Sequence, residues 1–256
     1  MIKYLVLFSM FLTAIGTAQE NKFDTLLSLF DGTKKQIPGQ LAFLYFDFSP
    51  SESAIGLLAD KILIQNDSFI VVSTYNQCDP EKKCERATAT SFALSGEKID
   101  EVTYEQIVSD CSFNDSRAIA FISDSILVFK ESRKKLDCLG NGELVNKREW
   151  LEFQPIKNGM FLKSYADQTA IEREHYIFSH LIFTGDELRK YTEEELRIIK
   201  NELFALHGYK FTTPKWQDYF KSKSWYKPLS NDVLDELTEI EKKNVELIVS
   251  MTEVKQ

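Results

Sequence analysis

The pattern of apolar and polar positions changes period once along this chain. From Leu41 to about Phe183, short runs rich in Ile, Val, Phe, Leu and Thr are broken by Asn, Asp, Ser and Gly, the pattern of strands joined by tight turns. Three segments repeat it. Residues 61–64 and 69–72 flank Asn66-Asp67-Ser68, residues 118–122 and 126–129 flank Ser123-Asp124-Ser125, and residues 153–156 and 160–162 flank Lys157-Asn158-Gly159. Each reads as a hairpin, with Asn-Gly the strongest turn signal because both residues tolerate positive φ. A further turn is expected at Ser95-Gly96-Glu97, between Phe92-Ala93-Leu94 and Ile99. Hairpins at this uneven spacing predict an antiparallel sheet folded into a sandwich or an incomplete barrel, with a propeller-like fragment as the alternative.

From Thr192 onward the period is helical. Thr192 with Glu195 forms a capping box, and Leu196, Ile199, Leu203 and Leu206 follow at helical spacing until Gly208 ends the helix. Thr213-Pro214 opens a second short helix carrying Trp216, Tyr219 and Phe220. Thr238 with Glu241 caps a third, which carries Ile240, Leu247, Ile248 and Met251. The expected fold is therefore α+β: a β-rich domain over residues 19–185, then a small three-helix domain over residues 186–256.

The N-terminus changes the picture of where this fold works. Lys3, an apolar run from Tyr4 to Leu12, and then Gly16, Thr17 and Ala18 before Gln19-Glu20 have the order of a secretory signal peptide cleaved after Ala18. The apolar run is too short to span a bilayer, which takes about 20 residues, and no cysteine precedes Cys78 to carry a lipid anchor. The expected location is the periplasm or the medium, with no integral membrane segment after cleavage. Removing residues 1–18 takes away one lysine from 31 Lys+Arg and none of the 39 Asp+Glu, which moves the formal charge from −8 to −9. A chain this acidic has no general attraction for nucleic acid. The four cysteines, Cys78, Cys84, Cys111 and Cys138, form an even set behind an export signal and point to disulfides. Cys78 with Cys84 and Cys111 with Cys138 is the favoured connectivity, because Asp79-Pro80 supplies a turn between the first two. No C-x-x-C spacing supports a zinc or redox site, and no metal or cofactor is expected.

In the helical region, Asn201-Glu202-Leu203-Phe204-Ala205-Leu206-His207-Gly208-Tyr209-Lys210-Phe211 is followed by Tyr219-Phe220, Ser224-Trp225-Tyr226-Lys227-Pro228 and Glu241-Lys242-Lys243-Asn244. These elements, in this order, resemble the YARHG domain, a small extracellular bacterial module. The resemblance covers about a quarter of the chain and implies an accessory module rather than a catalyst. Leu206 stands where the family name implies an arginine.

His207 shares the side of its helix with Leu196 and Leu203 and sits at the last turn, so a histidine held between helices by a hydrogen bond is expected. Asn244 falls within the apolar stripe of the last helix, where a buried amide must find partners; it reads as a clamp onto a loop or onto the first helix. Asn201 can meet the segment around Trp225-Tyr226. Between Lys210 and Lys227 five lysines stand against the single acid Asp218, interleaved with aromatics. Lys215, Trp216, Lys221, Lys223, Trp225 and Tyr226 are the candidate ligand-binding residues, stacking sugar rings and pairing with their anionic groups. The alternative is that the aromatics are the core of a small domain and the lysines its solvated rim. His175 and His180 have poor metal-pair spacing.

No H-E-x-x-H, G-x-S-x-G, P-loop or dinucleotide motif occurs, and no catalytic residue is assigned. The expected function is an exported, non-enzymatic binding or accessory protein whose partner is a cell-wall polymer, a polysaccharide or an envelope protein. The alternatives are an extracytoplasmic hydrolase with paired carboxylates in the β region and a protein-interaction module.

Overall fold

Every residue from Phe69 to Thr74 is buried, which a strand permits only when both faces of its sheet are covered. Alternate side chains divide between two cores. Ile70 and Val72 join Phe23, Leu26, Tyr45 and Phe92, while Phe69 and Val71 join Tyr104, Leu127, Phe129 and Ile156. The computed structural model describes residues 22–49, 56–77, 84–109, 112–139 and 143–252. Residues 1–18, where a signal peptide is expected, lie outside the described residues, as do Cys78, Cys111 and the Cys84 side chain. Cys138 is not a free thiol.

The sheet contains β1 (Asp31–Gln36), β2 (Leu58–Gln65), β3 (Phe69–Gln77), β4 (Cys84–Ala93), β5 (Lys98–Ser109), β6 (Phe113–Ile122), β7 (Ile126–Asp137), β8 (Glu143–Lys157), β9 (Met160–Phe161) and β10 (Tyr165–Asp167). All pairings are antiparallel and follow chain order, with β10 and β9 both pairing to β8. The result is one meandering sheet curved into an incomplete barrel, the second of the two expected β forms. All of the expected hairpins are present. At the β8–β9 turn, Asn158 and Gly159 have φ of 51° and 82°, the geometry that the Asn-Gly pair supplies. A Cβ on Gly159 would meet the Ile99 side chain at 2.7 Å.

The run starting at Leu41 is a helix instead of a strand. α1 (Gly39–Phe46) follows Pro38 and ends at Asp47, whose φ is 54°. Its buried residues Ala42 and Tyr45 stand three apart, on one helical face. A run this short and this apolar carries no period that separates helix from strand.

Compact packing divides the chain between Asp167 and Gln168. The second unit starts with two 3-10 turns, Ala170–Glu172 and Tyr176–Ser179, and the short α2 (Gly185–Leu188). Three longer helices follow: α3 (Glu193–Leu206), α4 (Pro214–Lys221) and α5 (Glu239–Thr252). Thr184 with Glu187 and Thr192 with Glu195 are complete capping boxes. Thr238 and Glu241 exchange the same pair of bonds at the start of α5. No described helix is long and apolar enough to cross a membrane.

Candidate functional site

α3 buries Leu196, Ile199 and Leu203 on one side. The adjoining face carries Arg197, Lys200, Asn201 and Phe204, spaced at i, i+3, i+4 and i+7, and this stripe forms the floor of two adjoining depressions. The larger, of about 420 Å³, lies between Phe204 and Tyr209 on one side and the Asn231-Asp232-Val233-Leu234 segment on the other. The smaller, of about 330 Å³, is bounded by Arg197, Lys215, Trp216 and Thr252. Lys200 and Asn201 line both, as a saddle between them.

Gly208 fixes one wall. Its φ of 79° turns the chain sharply after α3, and a Cβ there would meet the Lys227 carbonyl at 2.8 Å. Because nothing projects from Gly208, its carbonyl accepts the amides of Leu229 and Ser230, and the Lys210 amide bonds the Ser230 carbonyl at 2.7 Å. These bonds set the segment that begins at Asn231 beside Tyr209.

The charges are unevenly committed. Arg197 pairs with Glu193 and Lys215 with Glu194, and the Lys215 ammonium also sits 4.8 Å from the Trp216 ring centre. No hydrogen bond or ion pair to the Lys200 or Asn201 side chain is present among the described residues. Asp232 spends one carboxylate oxygen on the Leu234 amide at 3.1 Å.

Behind the groove stands a buried polar scaffold. Asn244 is fully buried; its amide nitrogen donates to the carbonyls of Phe178 and Leu181 at 2.7 and 2.8 Å, and its oxygen accepts the Phe183 amide at 3.0 Å. His207 Nε2 lies 2.8 Å from the buried Glu241 carboxylate, which also accepts the Thr238 amide. Burial pushes the Glu241 carboxyl up, but hydrogen bonds from His207, the Thr238 amide and Ser179 outweigh it and hold it below the usual range. Glu202 is buried and bonded by the His175 amide, and its burial raises its carboxyl against the pull of Arg173. Burial likewise lowers the His175 imidazole, opposed by Glu174 and Glu195. His175 and His180 cap the two ends of a 3-10 turn, and no group of three or more His, Cys, Asp or Glu that suits a metal ion occurs among the described residues.

The basic and aromatic segment does not form one surface. Lys215 and Trp216 reach the groove. Lys221 is exposed at the end of α4, and the Lys223 ammonium sits over Tyr219 at 4.9 Å. Trp225 and Tyr226 pack on Phe211, Phe220 and Ala205, and the Tyr226 hydroxyl donates to the Tyr209 carbonyl at 2.7 Å. Asn201 faces the groove. Arg197, Lys200, Phe204 and Tyr209 escape a reading focused on the lysine-rich segment, yet the i, i+3 and i+7 spacing of the first three marks a second stripe beside the Leu196 one.

In the β unit, Glu131 and Glu152 converge on Arg117, at 3.0 and 3.4 Å. Burial raises the Glu131 carboxyl; Arg117 opposes the shift and a hydrogen bond with Glu152 adds to it.

Residues 176–253 match the family model of the YARHG domain, a domain of extracellular type whose molecular function is not established. The N-terminal region matches no family. No curated protein and no solved structure matches the chain.

Proposed function

We propose that this is an exported, non-catalytic binding protein of the cell envelope or extracellular space, and that its ligand lies along the α3 groove. The observation that carries the reading is the saddle: Lys200 and Asn201 are half-buried, line both depressions and have no side-chain partner among the described residues. A polar group in such a place gains most from a ligand that completes its bonds. Export is supported by the extracellular type of the C-terminal domain, the signal-like order of residues 1–18 and the even cysteine count. Cys78 follows directly on β3 and Cys84 opens β4, next to the Gln77–Glu85 pair of that ladder, which favours a disulfide across the strand ends. Cys111 then pairs with Cys138.

A glycoside hydrolase in the β unit needs two separated carboxylates. Glycoside chemistry places them about 5–5.5 Å or about 6.5–9.5 Å apart, whereas Glu131 and Glu152 share a hydrogen bond and one guanidinium. That is the geometry of an ion-pair network.

The test is co-sedimentation of the full-length protein with isolated cell-wall sacculi, insoluble acidic polysaccharide and detergent-extracted envelope proteins. Wild type is expected to bind one of these, Lys200→Glu with Asn201→Ala to bind at least about tenfold more weakly, and Lys221→Glu with Lys223→Glu to bind like wild type. Unchanged binding by the saddle variant, or no binding by wild type, refutes the reading.

A further inference from the structure

Charge and shape sort the two depressions into different chemical roles. The smaller one gathers three cationic side chains, Arg197, Lys200 and Lys215. The larger one has an aromatic and aliphatic wall, with side-chain amides and one carboxylate, Asp232, at its rim. Asp232 repels an anion from the larger depression and directs it to the smaller. Asn201 and Asn231 each offer both a donor and an acceptor, which matches an acetamido group, whose carbonyl and N–H need one of each. Phe204 and Tyr209 give a flat apolar surface for the face of a sugar ring.

We infer, on the reading that the α3 groove is the ligand site, that the groove takes an acidic amino-sugar glycan: an N-acetylated sugar in the aromatic depression next to a unit bearing a carboxylate or phosphate in the cationic one. Lys200, at the saddle, then serves both units. Both volumes fall in the roughly 300–1,000 Å³ range of small-molecule clefts, and their shared wall fits neighbouring units of one chain. An extended peptide suits the groove less well. The backbone beside Tyr209 is already paired to Ser230, so a peptide finds no free strand edge there to extend. An anion entering the smaller depression competes with Glu193 for Arg197 and with Glu194 for Lys215, so binding should be moderate and should weaken with salt.

Titration of full-length protein with defined oligosaccharides tests this. The probes are an oligomer alternating uronate with N-acetylhexosamine, a phosphate-substituted N-acetylhexosamine oligomer, a neutral N-acetylglucosamine oligomer of equal length, and oligogalacturonate. One of the two mixed oligomers is expected to bind at least tenfold more tightly than either single-feature probe, and which one binds identifies the anion. Arg197→Gln with Lys215→Gln should reduce that ligand to the level of the neutral oligomer. Asn231→Ala should weaken the mixed and neutral oligomers while leaving oligogalacturonate unchanged. Equal binding of oligogalacturonate and the mixed oligomers would reduce the site to charge attraction and overturn the inference. If no glycan binds while the saddle variant still loses envelope binding, the site stands and the glycan assignment fails. If envelope binding is also insensitive to the saddle, both fail.

Discussion

Replacing Asn244 with leucine should destabilise the helical unit severely, and the magnitude follows from three bonds. Leucine is of similar size and adds at most about 1.5–3 kcal/mol of apolar burial. It also leaves the carbonyls of Phe178 and Leu181 and the amide of Phe183 without the partner that each now has. Phe178 and Phe183 are buried, so water reaches these groups only if the segment moves. At about 1–3 kcal/mol for each orphaned group, the loss is roughly 3–9 kcal/mol, and the balance remains destabilising by several kcal/mol over most of that range. A domain has only about 5–15 kcal/mol in total. Urea denaturation of the full chain, followed by tryptophan fluorescence, reports on it because two of the three tryptophans, Trp216 and Trp225, lie in this unit. Asn201→Ala is the control: it removes an equally polar side chain that has no bond among the described residues, and it should cost less than about 1 kcal/mol. A loss below about 1 kcal/mol for Asn244→Leu, or equal losses for the two variants, would refute the clamp.

Glu241 and Glu131 should give opposite pH dependence. Glu241 has a lowered folded-state pKa, so its contribution is present above the unfolded value, near 4.5, and is lost as pH falls below it; Glu241→Gln should flatten that acid limb in urea titrations. Glu131 has a raised pKa, so the stability linked to it is full below about pH 4.5 and declines as pH rises through the folded value; Glu131→Gln should remove this decline in the β unit, and an unchanged profile would count against the assignment. Thiol labelling of exported protein under denaturing, non-reducing conditions should find no free cysteine, and Cys138→Ser should cost about 3–4 kcal/mol by opening a long loop. Mass spectrometry of the same material should find Gln19 at the N-terminus; an intact Met1 would end the export argument.

Legibility in the sequence followed the strength of local signals. Turns such as Asn158-Gly159 and caps such as Thr192 with Glu195 act through their own few residues, so they read directly. α1 did not, because six successive apolar residues have no period. The outer halves of β7 and β8 were also hidden. There Lys130, Arg133, Lys147 and Glu149 face solvent, and the ladder is reinforced by cross-strand pairs such as Lys130 with Glu149 and Arg133 with Asp115. Such pairing depends on residues far apart in sequence, so alternation of apolar side chains cannot announce it. In the candidate site, Lys215 and Trp216 were legible as a basic and aromatic pair. Asp232 and Leu234 were not, because a loop about 25 residues after α3 reaches the groove only through its pairing with the residues that follow that helix.

Gly208 connects that loop to the chemistry. It ends α3, and its carbonyl accepts the amides of Leu229 and Ser230; the same turn leaves His207 one residue earlier, where it meets Glu241 on α5. One helix terminus therefore sets two distances: α3 to α5 through the imidazole, and α3 to the groove wall through the glycine carbonyl. Asn244, on the same face of α5 as Glu241, ties that helix to the 178–183 segment. The polar contacts of His207, Glu241 and Asn244 thus lie behind the groove and position it, while Lys200 and Asn201, the residues proposed to meet the ligand, line the groove itself. Substitutions in the two sets should consequently separate. Changes at His207, Gly208 or Asn244 act on folding and on binding together, and changes at Lys200 act on binding alone.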